Sequence, residues 1–419
     1  MNPDTAKPSA RPSARTCIVI AAYDSSLRHS EGYVARSLLT RLDRSLRVIL
    51  LTRKNNVSEL RSSPEFKAAC PNVHLVGYDL PKWAAWWKKG PRGYGLYAYL
   101  WQISWPFALK SKPRLVERIS VVHTLNFHND SIPSMGWVLG KPSVWGPINH
   151  NEGTRQWRMG NWPFKLRLRN TLKSAFRGLA WRLDPILALS IRKADVVFSA
   201  GSWVDKRLRL KGRTNVRRKS QLGLDFATLS ARQNASTTSL SLVSGGRLDW
   251  IKGLDLALDA LSHLPQGATL TLIGDGPCKS FLVERARMLG ILDRVTFIPA
   301  VSRDQLMRYY ADHDIFLFPS AEAGGLAWVE ALATGLPVVG LEGPTELSDV
   351  AKRQPGIYLT KDMGTYPQNA KALARAIEVI AAQDNNPESI SRAAGHQYGW
   401  DSFAAEVQDA YRAAAEIKR

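Results

Sequence analysis

The chain has little cysteine and no long apolar run. Its three cysteines, Cys17, Cys70 and Cys278, lie far apart among 419 residues and form no Cys-x-x-Cys spacing. This pattern argues against a disulfide framework and a zinc site, and it fits a reducing cytoplasm. No apolar run approaches the roughly 18 residues needed to cross a bilayer, so we expect no transmembrane segment. The apolar run after the basic tail is short and predicts a strand rather than a signal peptide.

Acidic residues are scarce in the first half of the chain. Residues 1–222 contain 39 Lys and Arg against 13 Asp and Glu, whereas residues 223–419 contain 18 against 23. The net charge of +21 therefore comes from the N-terminal half, which also holds 11 of the 14 tryptophans. Such asymmetry predicts a negatively charged partner for that half.

The pattern of apolar segments predicts an α/β protein with two domains. A length of 419 residues is long for one core, and strands alternate with helices twice along the chain. We expect two Rossmann-like, doubly wound parallel sheets that face each other across a ligand-binding cleft. The predicted segments are a disordered tail (1–15), an N-terminal domain (16–225), a linker (226–239), a C-terminal domain (240–399) and a last helix that packs back on the N-terminal domain (400–419).

Two glutamates, Glu322 and Glu330, flank a glycine loop between a strand and a helix. The helix start offers free backbone N–H groups and the positive end of a dipole, which favour phosphate. Glu330 is expected about 6 Å further along the helix axis, within reach of a ribose on that phosphate. Glu322, which precedes the glycines, is expected to face the same binding site from the other side. The pattern predicts a nucleotide-sugar site. The alternative is that the glutamates only interact favourably with the helix dipole, as acidic residues near a helix start often do.

Four ordered segments resemble the retaining glycosyltransferases of family four, which have the GT-B fold. They are GGRLDWIKG (245–253), IGDGP (273–277), the Glu-x(7)-Glu segment and EALATGLPVV (330–339). In the first half, WGPI followed by a polar loop resembles a bacterial branch that builds exopolysaccharide or lipopolysaccharide. The resemblance implies a metal-independent hexosyltransferase without a cofactor, whose donor is a UDP- or GDP-type sugar.

The resemblance also implies roles for individual donor-side residues. Arg247 and Lys252 would neutralise the diphosphate, Glu330 would hold the ribose, and Glu322 would hold the donor sugar. Asp275 is interpreted as a turn residue, and Ala300 occupies a position near the base pocket that is often glycine. Backbone groups of Gly246, Gly324, Gly325 and Leu326 would contact the donor.

For the N-terminal site the sequence offers two histidines. His123 is the first candidate for a catalytic histidine and His128 the second, and a histidine packed at a strand end is an equal alternative. On the acceptor side the predicted contacts are Glu31, Gly32, Asn149 and His150.

Two segments mix aromatic and basic residues, 81–118 and 155–182. We expect them to lie on an anionic membrane surface, with a solvated basic face as the next interpretation and nucleic acid the least favoured. The predicted function is sugar transfer to a lipid-linked or glycan acceptor in cell-surface polysaccharide synthesis, in the cytoplasm at the inner face of the membrane. The alternatives are a non-catalytic basic scaffold that binds anionic lipid or nucleic acid, and a sugar-nucleotide epimerase.

Overall fold

A computed structural model describes most of the chain. The described residues are 16–27, 30–90, 92–125, 129–150, 153–210, 213, 215–226 and 239–418, with the side chains of 30 and 31 excepted. The predicted tail, 1–15, and nearly all of the predicted linker lie outside these ranges.

The first domain is built on a seven-stranded, all-parallel sheet in the order β3-β2-β1-β4-β5-β6-β7. Its strands are β1 (Cys17–Ala22), β2 (Arg47–Thr52), β3 (Val73–Gly77), β4 (Ile119–Leu125), β5 (Ser143–Ile148), β6 (Val196–Ser199) and β7 (Val216–Arg218). Its helices are α1 (Ser30–Leu39), α2 (Lys54–Ser62), α3 (Pro64–Ala69), α4 (Lys82–Ala85), α5 (Tyr94–Lys110), α6 (Pro113–Arg118), α7 (Phe164–Leu183), α8 (Pro185–Lys193) and α9 (Ser202–Leu208).

The second domain has a six-stranded, all-parallel sheet in the order β10-β9-β8-β11-β12-β13. Its strands are β8 (Ser241–Gly245), β9 (Thr269–Ile273), β10 (Val295–Ile298), β11 (Ile315–Phe318), β12 (Val338–Leu341) and β13 (Ile357–Thr360). The helices that follow in the chain are α10 (Leu254–Ser262), α11 (Lys279–Met288), α12 (Arg303–Ala311), α13 (Leu326–Ala333), α14 (Glu346–Val350), α15 (Tyr366–Ala381), α16 (Pro387–Tyr398) and α17 (Trp400–Ile417).

Burial explains why the central strands could be predicted from the sequence. Every residue of β1, β5, β11 and β12 is buried, as expected for parallel strands with helices on both faces. The sequence did not predict β7 and β13, two short edge strands. β7 has only three residues, two of them arginine, and β13 is mostly half-buried, so neither gives a continuous apolar signal.

The last helix, α17, returns to the N-terminal domain. Its Trp400, Phe403 and Val407 are buried in one core cluster with Ile18 and Ile20 of β1. The chain crosses between the domains at two places that lie side by side, because the Leu224 N–H donates to Tyr398 O at 2.9 Å and the Trp400 N–H donates to Leu224 O at 3.3 Å. The two crossings form a paired connection between the sheets.

Candidate active site

Two glycine loops at the carboxyl ends of β8 and β9 form one wall of the site. Gly246 has φ 121° and Gly274 has φ 135°, both in the region that L side chains rarely adopt. A Cβ on Gly274 would stand 2.0 Å from the carbonyl oxygen of Gly246. The two loops therefore pack backbone against backbone, which only glycine permits here.

Lys252 lies at the centre of the site. It ends a 3₁₀ turn, Trp250–Lys252, which Asp249 caps by accepting from the Trp250 N–H at 2.7 Å. The Lys252 Nζ donates to Glu322 Oε2 at 2.7 Å, and both side chains are mostly buried. The same Nζ is 3.6 Å from the place where a Cβ on Gly246 would stand. A positive charge is thus fixed between the first glycine loop and Glu322.

Glu330 approaches this lysine from α13. Burial raises the pKa of its carboxyl group, while the charges of Arg303 and Lys252 lower it. The Arg303 Nε lies 3.4 Å from Glu330 Oε1. Glu322 and Glu330 therefore both lie close enough to Lys252 to interact with its charge. Arg303 adds a second cation, which the sequence did not indicate.

The first turn of α13 has no side-chain cap. The helix begins at Leu326, and Gly325 precedes it in an extended conformation that leaves the first N–H groups without a side-chain acceptor. A Cβ on Gly324 would lie 3.0 Å from the Asn149 side-chain nitrogen and 3.4 Å from Glu346 Oε2. The glycine loop is therefore held between the two domains with its helix start open to an anion.

Glu346 supports this loop from behind. Its N–H donates to Ala323 O at 2.7 Å, and its carboxylate accepts from Ser220 Oγ at 2.8 Å and from the Tyr398 hydroxyl at 3.1 Å. Burial raises the pKa of this carboxyl to about 7 despite both hydrogen bonds. No local motif indicates Glu346, because its partners lie 126 and 52 positions away along the chain.

The raised pKa of Glu346 predicts a pH-dependent stability. Between the ordinary value of 4.5 and about 7, the folded protein keeps a proton that the unfolded chain has lost, so stability falls as pH rises through this window. The full effect is about 3 kcal/mol. We expect Glu346→Gln to remove this dependence and to raise stability at pH 8, measured by urea unfolding from pH 5 to 8. Glu388→Gln, at an exposed glutamate, is the control; an unchanged slope in Glu346→Gln would contradict the prediction.

Arg247 and Asp275 lie at the rim. The Arg247 side chain is 72% exposed, with its Nε 3.6 Å from Asp249 Oδ2, so its guanidinium is open to a ligand from the cleft. Asp275 accepts from the Ala300 N–H at 3.0 Å, and this bond lowers the pKa of its carboxyl. The Asp275 contact joins two loops, which agrees with its interpretation as a turn residue.

His123 is packed inside the N-terminal domain. Its Nε2 donates to Gly146 O at 2.8 Å, so Nδ1 accepts from the Tyr411 hydroxyl at 2.9 Å. Complete burial lowers the pKa of this imidazole to about 4. With both ring nitrogens bonded to protein, the geometry favours the packed alternative over a catalytic role. His128, the other candidate, lies outside the described residues.

On the acceptor side, Asn149 and His150 follow β5. The His150 Nδ1 lies 2.7 Å from Asp130 Oδ2, and both side chains are buried. Trp181 of α7 donates to Asp130 Oδ1 at 3.1 Å, and the Arg207 Nε is 3.5 Å from Asp130 Oδ2. The sequence predicted His150 but not its partner Asp130, which stands in a polar segment without a recognisable motif.

The predicted contacts in the first loop are placed differently. Gly32 lies inside α1, where a Cβ would stand 2.2 Å from Ser26 O, so this glycine allows close packing of the helix on the loop. Nothing is described of the Glu31 side chain. Between the domains, a cavity of about 420 Å³ is lined by Arg155, Trp203 and Lys206 from one side and by Ser320, Ala321 and Gly343 from the other.

The comparisons with known proteins point to the same segment of the chain. Residues 225–397 match the family described as Glycosyl transferases group 1. A D-inositol 3-phosphate glycosyltransferase of Xylanimonas cellulosilytica is 29% identical over 196 residues, which are 45% of this chain and 46% of that protein. The chain thus spans about half the length of this curated relative.

The likeness to solved structures covers both domains. A sucrose-phosphate synthase from Thermosynechococcus elongatus superposes with a TM-score of 0.64 at 18% identity, over 95% of this chain and 98% of that one. Anabaena HepE, solved in complex with UDP and glucose, gives a TM-score of 0.57 at 16% identity, over 94% and 98%. The two facing parallel-sheet domains have the GT-B fold, as the sequence predicted. Within the described ranges, no helix combines the length and apolar character that a bilayer span requires.

Proposed function

We propose that the protein is a retaining glycosyltransferase that takes a sugar from a nucleoside-diphosphate donor of the UDP or GDP type. The observation that carries this proposal is the position of Lys252 between Glu322 and Glu330 beside the open start of α13. This arrangement offers cations and N–H groups to a diphosphate and carboxylates to hydroxyl groups on either side of it. The family match of residues 225–397 supports it, since that segment holds all of these groups.

In this proposal each donor-side group has a separate task. Arg247, Lys252 and the α13 N–H groups bind the diphosphate, with Gly246, Gly324, Gly325 and Leu326 contacting the donor through their backbone. Glu330 accepts hydrogen bonds from the ribose hydroxyls, and Arg303 holds its carboxylate in place. Glu322 accepts from the donor sugar. No metal or cofactor has a part, because the cations do the work of neutralising the leaving group.

We propose attack on the face of the sugar from which the diphosphate leaves. The bond between the anomeric carbon and the phosphate oxygen breaks, the acceptor oxygen bonds to that carbon, and the acceptor proton passes to the departing phosphate oxygen. Entry and departure on one face retain the anomeric configuration. Lys252 stabilises the charge that grows on the diphosphate as the bond breaks.

For the acceptor we propose a lipid-linked glycan in cell-surface polysaccharide synthesis, with the enzyme at the cytoplasmic face of the membrane. The support is the basic, tryptophan-rich N-terminal half, which faces the donor domain across the cleft. As its contacts we propose Asn149, whose side chain lies beside Gly324 of the donor loop, and the residues around the cavity that Ser320 lines.

A panel of UDP- and GDP-sugars tests the donor assignment. We expect one donor to raise the melting temperature, because a ligand at a hundred times its Kd stabilises a protein by about 2.7 kcal/mol. Glu330→Gln should weaken the binding of that donor by about tenfold or more, since hydrogen bonds to a carboxylate contribute roughly 1.5–3 kcal/mol. Glu388→Gln serves as the control.

The same panel separates the alternatives. Stabilisation by none of the donors would overturn the proposal and favour a non-catalytic scaffold. Conversion of a donor into an isomeric nucleotide sugar without any acceptor would instead indicate an epimerase.

A further inference from the structure

Helix α7 presents its apolar side to solvent. None of its 20 residues is buried. Six large apolar side chains are 48–72% exposed, namely those of Phe164, Leu168, Leu172, Phe176, Leu179 and Leu183. Their spacings of four and three residues place them within an arc of roughly 120° on one side of the helix. We call this row the α7 stripe.

The opposite side of α7 faces the protein through polar contacts and through the ring of Trp181, which packs against a core cluster. Asn170 donates to the Met159 sulfur at 3.3 Å, and Trp181 donates to Asp130 at 3.1 Å. A Cβ on Gly153 would stand 2.9 Å from Ser174 Oγ. A helix that only covers a core would bury its apolar side, so the orientation of α7 is the reverse of the usual one.

The charged side chains of α7 itself are all positive. α7 contains six Lys and Arg, at 165, 167, 169, 173, 177 and 182, and no acidic residue. Arginine and lysine next to an exposed apolar row match an anionic bilayer, where the row enters the acyl boundary and the cations meet the headgroups. A second copy would bring the same positive charge to the apolar row, whereas an anionic leaflet complements both the row and the charge.

The segment that precedes α5 in the chain also carries exposed aromatic and basic side chains. Trp83 and Trp86 are 81% and 77% exposed, and Lys82, Lys88 and Lys89 stand beside them in the chain. Tyr99 of α5 donates to Asp184 Oδ2 at 2.8 Å, which joins α5 to the end of α7. Exposed tryptophan next to lysine is typical of the headgroup region of membranes.

We propose that α7 lies in the plane of an anionic membrane leaflet, with the α7 stripe inserted between the lipids. The evidence for docking comes from α7 alone. Only the biological reason for docking rests on the proposed function, since a lipid-linked acceptor would be presented at this surface. α7 also begins directly after the segment that contacts the donor domain through Arg158, which donates to Pro319 O at 2.7 Å. A docked helix therefore holds the cleft close to the leaflet.

Vesicle sedimentation of the full chain tests the docking. We expect the protein to bind vesicles of phosphatidylcholine mixed with phosphatidylglycerol, and to bind phosphatidylcholine alone much more weakly. The double variant Leu172→Glu with Phe176→Glu should bind about tenfold more weakly or worse. Val379→Glu, which puts the same charge on an exposed apolar position of the C-terminal domain, should bind like the parent. Unchanged binding by the double variant would overturn the proposal.

A fluorophore reports insertion directly. The three cysteines are buried, so Phe176→Cys and Val379→Cys offer selective labelling sites. We expect a shift of the emission to shorter wavelength on anionic vesicles for position 176 and none for position 379. Dimers that the double variant dissociates, or tight binding to a single-stranded oligonucleotide in place of vesicles, would overturn the proposal in favour of those partners. The donor panel tests the transferase assignment independently of the docking. Stabilisation by a donor without vesicle binding would contradict only the docking. Vesicle binding without stabilisation by any donor would contradict only the transferase assignment.

Discussion

Replacement of Lys252 by alanine is expected to lower the rate of sugar transfer by about 10²–10³, with most of the loss in kcat. The reason is the position of its Nζ, 2.7 Å from Glu322 and close enough to lower the pKa of Glu330. Without this cation, two carboxylates would face a diphosphate that gains negative charge as its bond to the sugar breaks. Initial rates with the donor identified by thermal stabilisation measure the effect.

Two further variants make this result specific. Lys371→Ala removes an exposed lysine of the same domain and should leave the rate unchanged. Lys252→Arg keeps the charge but replaces a compact ammonium by a planar fork, so we expect partial activity only. A folded Lys252→Ala protein with the activity of the parent would refute the assignment of this lysine.

The donor side could be predicted from the sequence because its parts lie at the ends of strands. Gly246, Lys252 and Glu322 each follow a buried strand by a few residues, and a parallel sheet brings those ends to one edge. The regular spacing from Glu322 to Glu330 then fixes both carboxylates around the start of one helix. Local signals were therefore sufficient to bring these residues together at one edge, whereas their roles in donor binding stay predictions.

Other parts of the site depend on contacts that the sequence does not show. Arg303 reaches Glu330 from the first turn of a different helix. Glu346 accepts from Ser220, which follows β7 of the first domain, and from Tyr398 at the end of α16. Asp130 can be recognised as part of the site only from the fold, which buries its carboxylate against His150. Nothing in the local pattern distinguishes these residues from solvated charges.

In the N-terminal half the sequence likewise does not show which apolar side chains are buried. Composition indicated an anionic partner, but it could not tell which tryptophans serve the core. The structure separates them: Trp101 and Trp105 are fully buried, whereas Trp83 and Trp86 are exposed. The α7 stripe likewise has the spacing of a core-facing helix, and only the fold shows that it faces outward.

Phe403→Ala is expected to destabilise the N-terminal domain by about 3–5 kcal/mol, although the residue lies at the C-terminal end of the chain. Phe403 is 1% exposed in the cluster that also contains Ile18 and Ile20 of β1. Its removal leaves a cavity under the first strand, and Trp400 loses a ring neighbour 5.6 Å away. Urea unfolding followed by tryptophan fluorescence measures the loss, since 11 of the 14 tryptophans report on the N-terminal half.

Ile417→Ala is the matched control, because this residue belongs to the same helix but is 56% exposed. It should change stability by less than about 0.5 kcal/mol. If Phe403→Ala shifted only a transition of the C-terminal domain, α17 would not be a working part of the N-terminal core. The expected shift in the N-terminal domain would show that α17, which follows the second chain crossing at Tyr398–Trp400, completes the core of that domain.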